Sequence, residues 1–141
     1  MGWLFAAIAG AAMSVQGVMN TRLSEKIGLY ESNVYVQGTA FLLSFIALWI
    51  FGKGQFGQIT QVNKGYLLGG ALGLLITITV MLGMKALSPT LAVTTILIAQ
   101  LIVAALIDGM GWMGTERTAF HWQQFAGLAL LAGGLVLFKW K

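Results

Sequence analysis

The segment from Ser88 to Gly114 places the strongest constraint on how this chain can fold. Ser88 followed by Pro89 is typical of a helix N-cap with proline at the first helical position. About 18 apolar or weakly polar residues follow, enough for a helix to cross a bilayer core roughly 30 Å thick. The pattern therefore predicts a membrane-spanning helix over residues 89–107.

One polar stripe runs along this predicted helix. Gln100, Ala104 and Asp108 follow one another at four-residue spacing and so share a face. At 1.5 Å per residue, Gln100 lies roughly 16 Å into the span and Asp108 roughly 28 Å, at its far edge. An unpaired amide at mid-depth is costly, and an intramembrane acid is a candidate functional group. Both residues are candidates for substrate binding or gating. The alternatives are a helix–helix hydrogen bond for Gln100 and an interfacial cap or ion pair for Asp108.

The whole chain is as apolar as this segment. Hydrophobic residues make up 58% of it and charged residues 9%, against roughly 25% charged residues in soluble domains. So few charges cannot cover a water-facing surface, which indicates an integral membrane protein. We predict an all-α, polytopic fold in one domain, residues 1–141, with five transmembrane helices at approximately 3–19, 34–51, 66–84, 89–107 and 122–138.

Several kinds of chemistry lack the residues they need. Cysteine is absent, and the chain has one histidine and four acidic residues. Disulfides and thiolate metal sites are excluded, and a zinc site or hydrolytic triad has almost nothing to draw on. We expect no enzyme activity, metal or cofactor. The net charge of +4 is scattered, so it indicates loop anchors at a membrane and not a nucleic-acid surface.

Three amides lie near the connection between the first two predicted spans, where Gly28 is the expected turn. Gln16 and Asn20 lie toward the end of the first span, and Gln37 lies near the start of the second. Those ends are on the same side of the membrane. One interpretation is a common vestibule for a neutral, zwitterionic or hydroxyl-bearing solute. The other is that the amides only join the two helices.

Small residues recur at four-residue spacing, which lets neighbouring helices approach closely. One such row is in the first span and another in the third, and the fifth span is rich in glycine. The terminal fifth span is thus a natural dimer contact. The predicted helix-packing residues are Gly10, Ser14, Gly69, Gly73, Gly127, Gly133 and Gly134.

Positive charges are nearly balanced across the predicted topology. Five spans place the termini on opposite sides of the membrane. Three positive side chains then lie on the N-terminal side (Lys53, Lys64, Arg117) and five on the other (Arg22, Lys26, Lys85, Lys139, Lys141). A difference of two charges gives only a weak orientation bias. Copies can therefore insert both ways, and inverted five-helix units can form a transporter around a pseudo-two-fold axis in the membrane plane.

Three segments resemble the YdcZ-like bacterial membrane proteins. Gly10–Gly28 has that family's glycine-rich first helix with its Gln-Gly pair, followed by Asn20 and Leu23. The other two segments are Ala99–Gly114, with a Gln-x7-Asp-x2-Gly element, and Gly127–Phe138. The resemblance implies a place in the drug/metabolite transporter superfamily, whose four- or five-helix members work as inverted pairs. It also implies the bacterial inner membrane.

One departure limits what the resemblance implies. The small multidrug exporters of that superfamily have a glutamate in the middle of the first helix for proton exchange. The first predicted span of this chain has no acidic residue. Proton-coupled export of cations is therefore not carried over to this chain.

The sequence thus predicts a secondary transporter that moves a small solute by alternating access as an antiparallel homodimer of ten helices. Its expected partners are membrane lipids, a second copy and a solute of unknown identity. Two alternatives remain. One is a non-transporting subunit or an obligate heterodimer with a sister chain, and the other is a lipid-handling membrane protein.

Overall fold

The computed structural model describes residues 1–118 and 121–140 as two compact units, Met1–Ala86 and Leu87–Lys141. Ala119, Phe120 and Lys141 lie outside the described residues. Lys141 is one of the positive charges counted above. The described residues form the α-helices α1 (Gly2–Ile27), α2 (Leu29–Phe51), α3 (Gly69–Ala86), α4 (Pro89–Met110) and α5 (Trp122–Lys139). Short 3₁₀ segments cover Phe56–Gln61, Lys64–Leu68 and Trp112–Gly114. The described part of the chain contains no β-strand, which confirms the all-α class.

Among the described residues, four helical segments are long and apolar enough to cross a membrane. They are α1, α2, α4 and the continuous run Lys64–Ala86 that ends in α3. The predicted fifth span coincides with α5, which has 18 residues. This helix is not among the four segments that are long and apolar enough. The fifth crossing therefore stays a prediction.

A single residue, Gly28, separates α1 from α2. Its φ of 104° and ψ of 159° lie in a region that is essentially restricted to glycine. Its N–H donates to the Ser24 carbonyl oxygen at 3.2 Å, and its own carbonyl oxygen accepts from the Ser32 N–H at 3.2 Å. One residue thus ends the first helix and starts the second, which places both helix ends side by side.

The interior of the first unit is polar near this turn. The buried polar residues are Asn20, Thr21, Ser24, Ser32 and Asn33, and the buried apolar residues of the unit are Met81 and Met84 from α3. The three hydroxyl groups each donate to a backbone carbonyl oxygen four or three residues earlier, at 2.7 Å. Large apolar side chains such as Phe41, Phe45 and Trp49 are exposed. This arrangement suits a lipid environment, in which apolar groups face outward.

The first turn of α4 has the predicted cap. The Ser88 hydroxyl accepts from the Leu91 N–H at 3.4 Å, with Pro89 at the first helical position. The helix ends at Gly111, whose positive φ of 67° lets its N–H reach the Ile107 carbonyl oxygen. After Gly111 the chain comes back to the end of α4, where the Thr118 N–H donates to the Asp108 carbonyl oxygen at 3.0 Å. In this second unit α5 packs against α4.

Candidate functional site

Three predicted amides of the first unit lie around one hydroxyl group, that of Thr77 on α3. Gln16 and Asn20 line a cavity of about 60 Å³ between α1 and α3, together with Thr77. From α2, the Gln37 Nε2 donates to the Thr77 Oγ1 at 3.3 Å. The Thr77 hydroxyl in turn donates to the Gly73 carbonyl oxygen at 2.8 Å. We call these four residues (Gln16, Asn20, Gln37, Thr77) the amide cluster.

Two side chains of the amide cluster can form further hydrogen bonds. Asn20 is buried, Gln37 is half-buried and Gln16 is exposed. Within the described part of the chain, the side-chain amides of Gln16 and Asn20 make no hydrogen bond. Each amide offers two donors and a carbonyl oxygen. The small cavity has room for one or two waters or for part of a solute.

Asn33 adds a buried acceptor one turn before Gln37 on α2. Only 4% of its surface is exposed, and its Oδ1 has no hydrogen-bond partner among the described residues. A buried polar atom without a partner costs about 1–3 kcal/mol. Asn33 and Gln37 share a helix face because they are four residues apart. A further buried polar group of α2 therefore lies between Gln37 and the α1–α2 turn along the helix.

The second unit has a larger cavity, of about 310 Å³, between α4 and α5. Its polar lining consists of Asp108, Thr118 and Gln124, and the rest of its wall is Leu101, Ala104, Ala105, Gly127, Leu128 and Leu131. Among the described residues the Asp108 carboxylate has no ion-pair partner. The Gln124 Oε1 accepts from the His121 N–H at 2.8 Å, which holds the start of α5.

Gln100 lies apart from this cavity. It is exposed on α4, one turn before Ala104, and it lines none of the cavities described between α4 and α5. A second cavity of about 250 Å³ is bordered by Leu106, Met110 and Phe125 and is apolar throughout. Of the predicted stripe, Ala104 and Asp108 thus face the larger cavity. In the described chain no three His, Asp or Glu side chains come together in a way that would hold a metal ion.

Most of the predicted packing positions are open within the single chain. A Cβ added at Gly10, Gly69, Gly127, Gly133 or Gly134 would meet no described atom within 4 Å. At Gly73 it would lie 3.8 Å from the Gln37 Nε2. The Ser14 hydroxyl donates to the carbonyl oxygen of Gly10 at 3.1 Å, within its own helix. The helix-packing role of these residues stays a prediction, and most of these positions are free to receive another helix.

Gly17, which packs closely against side chains of another helix, was not selected by the spacing argument. A Cβ on Gly17 would lie 2.6 Å from the Met84 Cε and 3.3 Å from the Val80 Cγ1. Sequence reasoning also missed Thr77 as a polar centre, although its spacing from Gly73 was visible. No local sequence pattern indicated that Thr118 and Gln124 line a cavity with Asp108. Their contacts depend on how the loop after α4 brings the chain back to that helix.

A known protein family matches almost the whole chain. No curated protein and no solved structure matches the chain. The family model DMT_YdcZ, described as "Putative inner membrane exporter, YdcZ", matches residues 1–137 of the 141. Together with four long apolar helices, this match indicates a multi-pass protein of the inner membrane. The chain therefore belongs to the YdcZ family of inner-membrane proteins.

Proposed function

We propose that the protein is a secondary exporter that moves a small solute by alternating access, as an inverted homodimer with five membrane crossings per copy. The description of its family as an inner membrane exporter supports the coarser part of this proposal. The observation that supports a solute site is the amide cluster. Amides from two helices, α1 and α2, lie around a hydroxyl group of a third, α3, in a unit whose outer surface is apolar.

The chemistry of the cluster suggests the class of solute. Amides and hydroxyl groups both donate and accept hydrogen bonds without carrying a charge. They therefore suit a neutral, zwitterionic or hydroxyl-bearing solute better than a bare ion. The buried Asn33 Oδ1 supports this view, because an acceptor that costs stability when empty gains a partner when a solute donor reaches it. Functional sites commonly keep such locally unfavourable groups.

The export role is tested by a matched pair of threonine substitutions on α3. Thr77→Val removes the hydroxyl group that joins Gln37 to the cluster. Thr79→Val makes the same change where the hydroxyl group contacts only its own helix, at the Leu75 and Ile76 carbonyl oxygens. We expect Thr77→Val to lower export about fivefold to tenfold, the rate equivalent of one lost hydrogen bond. Thr79→Val should leave export unchanged.

The measurement compares the culture medium of cells that express each variant with that of cells without the protein. Mass spectrometry identifies solutes that appear in the medium only with the unmodified chain. Expression level and dimer content are measured alongside. Equal export by Thr77→Val and unmodified protein contradicts the proposal. If Thr77→Val instead lowers the dimer content, the result shows that the amides only join the helices.

The inverted homodimer predicts that copies insert in both orientations. Because the chain lacks cysteine, Gly57→Cys supplies a single thiol in the α2–α3 connection without changing any charge. Gly57 is exposed, with open space around it. We expect an impermeant maleimide to label about half of the molecules in intact cells, since the charge bias is weak.

The control shifts that bias. Lys53→Gln with Lys64→Gln leaves one positive side chain on the N-terminal side against five on the other. The Gly57→Cys thiol should then face outward in nearly every copy, and nearly all molecules should label. If the maleimide labels nearly all or nearly none of the Gly57→Cys molecules that keep Lys53 and Lys64, the self-paired inverted dimer is wrong. A sister chain of opposite orientation then becomes the partner to seek.

A further inference from the structure

We propose that the cavity between α4 and α5 is a binding site for an alkylammonium ion, with the Asp108 carboxylate as its counter-ion. This site uses residues of the second unit only and goes beyond the proposed function, which rests on the amide cluster of the first. Its volume of about 310 Å³ is at the lower end of the range for small-molecule pockets.

The carboxylate is available for a cation. Among the described residues Asp108 forms no ion pair, although Arg117 lies in the segment that returns to the same helix end. The Arg117 Nε donates instead to the Gly109 carbonyl oxygen at 3.1 Å. Asp108 is exposed at the polar end of this cavity, so its carboxylate oxygens can accept hydrogen bonds from an ammonium ion, which has three N–H donors.

The wall selects an organic cation over an inorganic one. A metal ion of the calcium or magnesium type needs about six oxygen ligands. Besides Asp108, the lining offers one hydroxyl group and one amide, and the Gln124 oxygen already accepts from the His121 N–H. The remaining wall consists of leucine and alanine side chains and one glycine. Such a wall favours a hydrocarbon chain attached to the charge.

The cavity has a polar end and an apolar end, which suits an amphiphile. Asp108 is near the end of α4, and the lining residue farthest from it on that helix is Leu101, seven residues earlier. Seven residues correspond to roughly 10 Å along the helix axis. A chain of six carbons fits this length, with its ammonium group at the carboxylate and its methyl end toward the middle of the helix.

The test is protection of an introduced thiol. Ala104→Cys places a thiol on the cavity wall of a chain that has no other. Leu106→Cys, on the same helix, borders only the apolar second cavity among the cavities described there and is the matched control. The purified full-length protein is alkylated by N-ethylmaleimide with n-hexylammonium chloride or 1-hexanol present. The alcohol has the same chain without the charge.

We expect hexylammonium to slow alkylation of Ala104→Cys and not of Leu106→Cys. Adding Asp108→Asn should raise the hexylammonium concentration needed about tenfold, since a charge-assisted hydrogen bond is lost. Glu31→Gln, which removes a negative charge from the first unit, should change nothing. Equal protection by 1-hexanol and hexylammonium overturns the proposal, and this comparison holds even if Asp108→Asn does not fold. Absence of protection also overturns it. Because no flux is measured, failure of the export proposal does not affect the result.

Discussion

Gly28→Ala is expected to destabilise the first unit by about 1–3 kcal/mol, the usual cost of holding a non-glycine residue in such backbone geometry. The reason is the backbone at the α1–α2 turn, where φ is 104° and ψ is 159°. An added Cβ would also overlap the Glu31 carboxylate. With a single residue between two helices, neighbouring residues cannot take over the turn. Unfolding of the purified protein in detergent measures the loss.

Two further variants separate the causes of this effect. Gly57→Ala, in open space with an ordinary φ, should change stability by less than about 0.5 kcal/mol. Gly28→Ala combined with Glu31→Ala removes the overlap but not the backbone strain. The pair should therefore remain nearly as unstable as Gly28→Ala alone. Full recovery by the pair would show that the carboxylate contact, and not the backbone, requires glycine here.

Gly17→Leu is the second substitution with a large expected effect, because a side chain at this position of α1 would meet Met84 and Val80 of α3. Its Cβ alone would lie 2.6 Å from the Met84 Cε and 3.0 Å from the Met84 Sδ. A methionine end can move aside for alanine, so Gly17→Ala should cost little. The full leucine side chain must displace Val80 as well, and overpacking of this kind costs typically 1–3 kcal/mol.

A second-site change tests whether this contact is the cause. Met84→Ala creates space opposite Gly17, so Gly17→Leu with Met84→Ala should be more stable than the sum of the single effects. Gly10→Leu is the matched control on the same helix, since nothing described lies within 4 Å of its added Cβ. If Gly10→Leu destabilises the isolated unit as much as Gly17→Leu, the packing explanation is wrong. If it weakens only dimer formation, it supports the predicted seam.

The sequence by itself indicated the approximate positions of the helices and several of the polar residues that line the cavities, Gln16, Asn20 and Asp108. Apolar runs between polar loops set the helical segments, the Ser88-Pro89 pair set the start of α4, and glycine at position 28 set the turn. Each of these signals is local, because helix formation and capping depend on neighbours within a few residues. The amides were found in the same way, since few polar residues occur in the spans.

Only the tertiary structure decided which faces meet. In a helix that is apolar on all sides, hydrophobic periodicity does not indicate its rotation, since lipid and a neighbouring helix are equally apolar. The same spacing rule thus selected Gly10, which is open, and passed over Gly17, which is close-packed. Thr77 became the centre of the amide cluster, and Thr118 and Gln124 joined Asp108, through contacts between residues distant in sequence. Such contacts depend on helix register and loop return, which no local pattern determines.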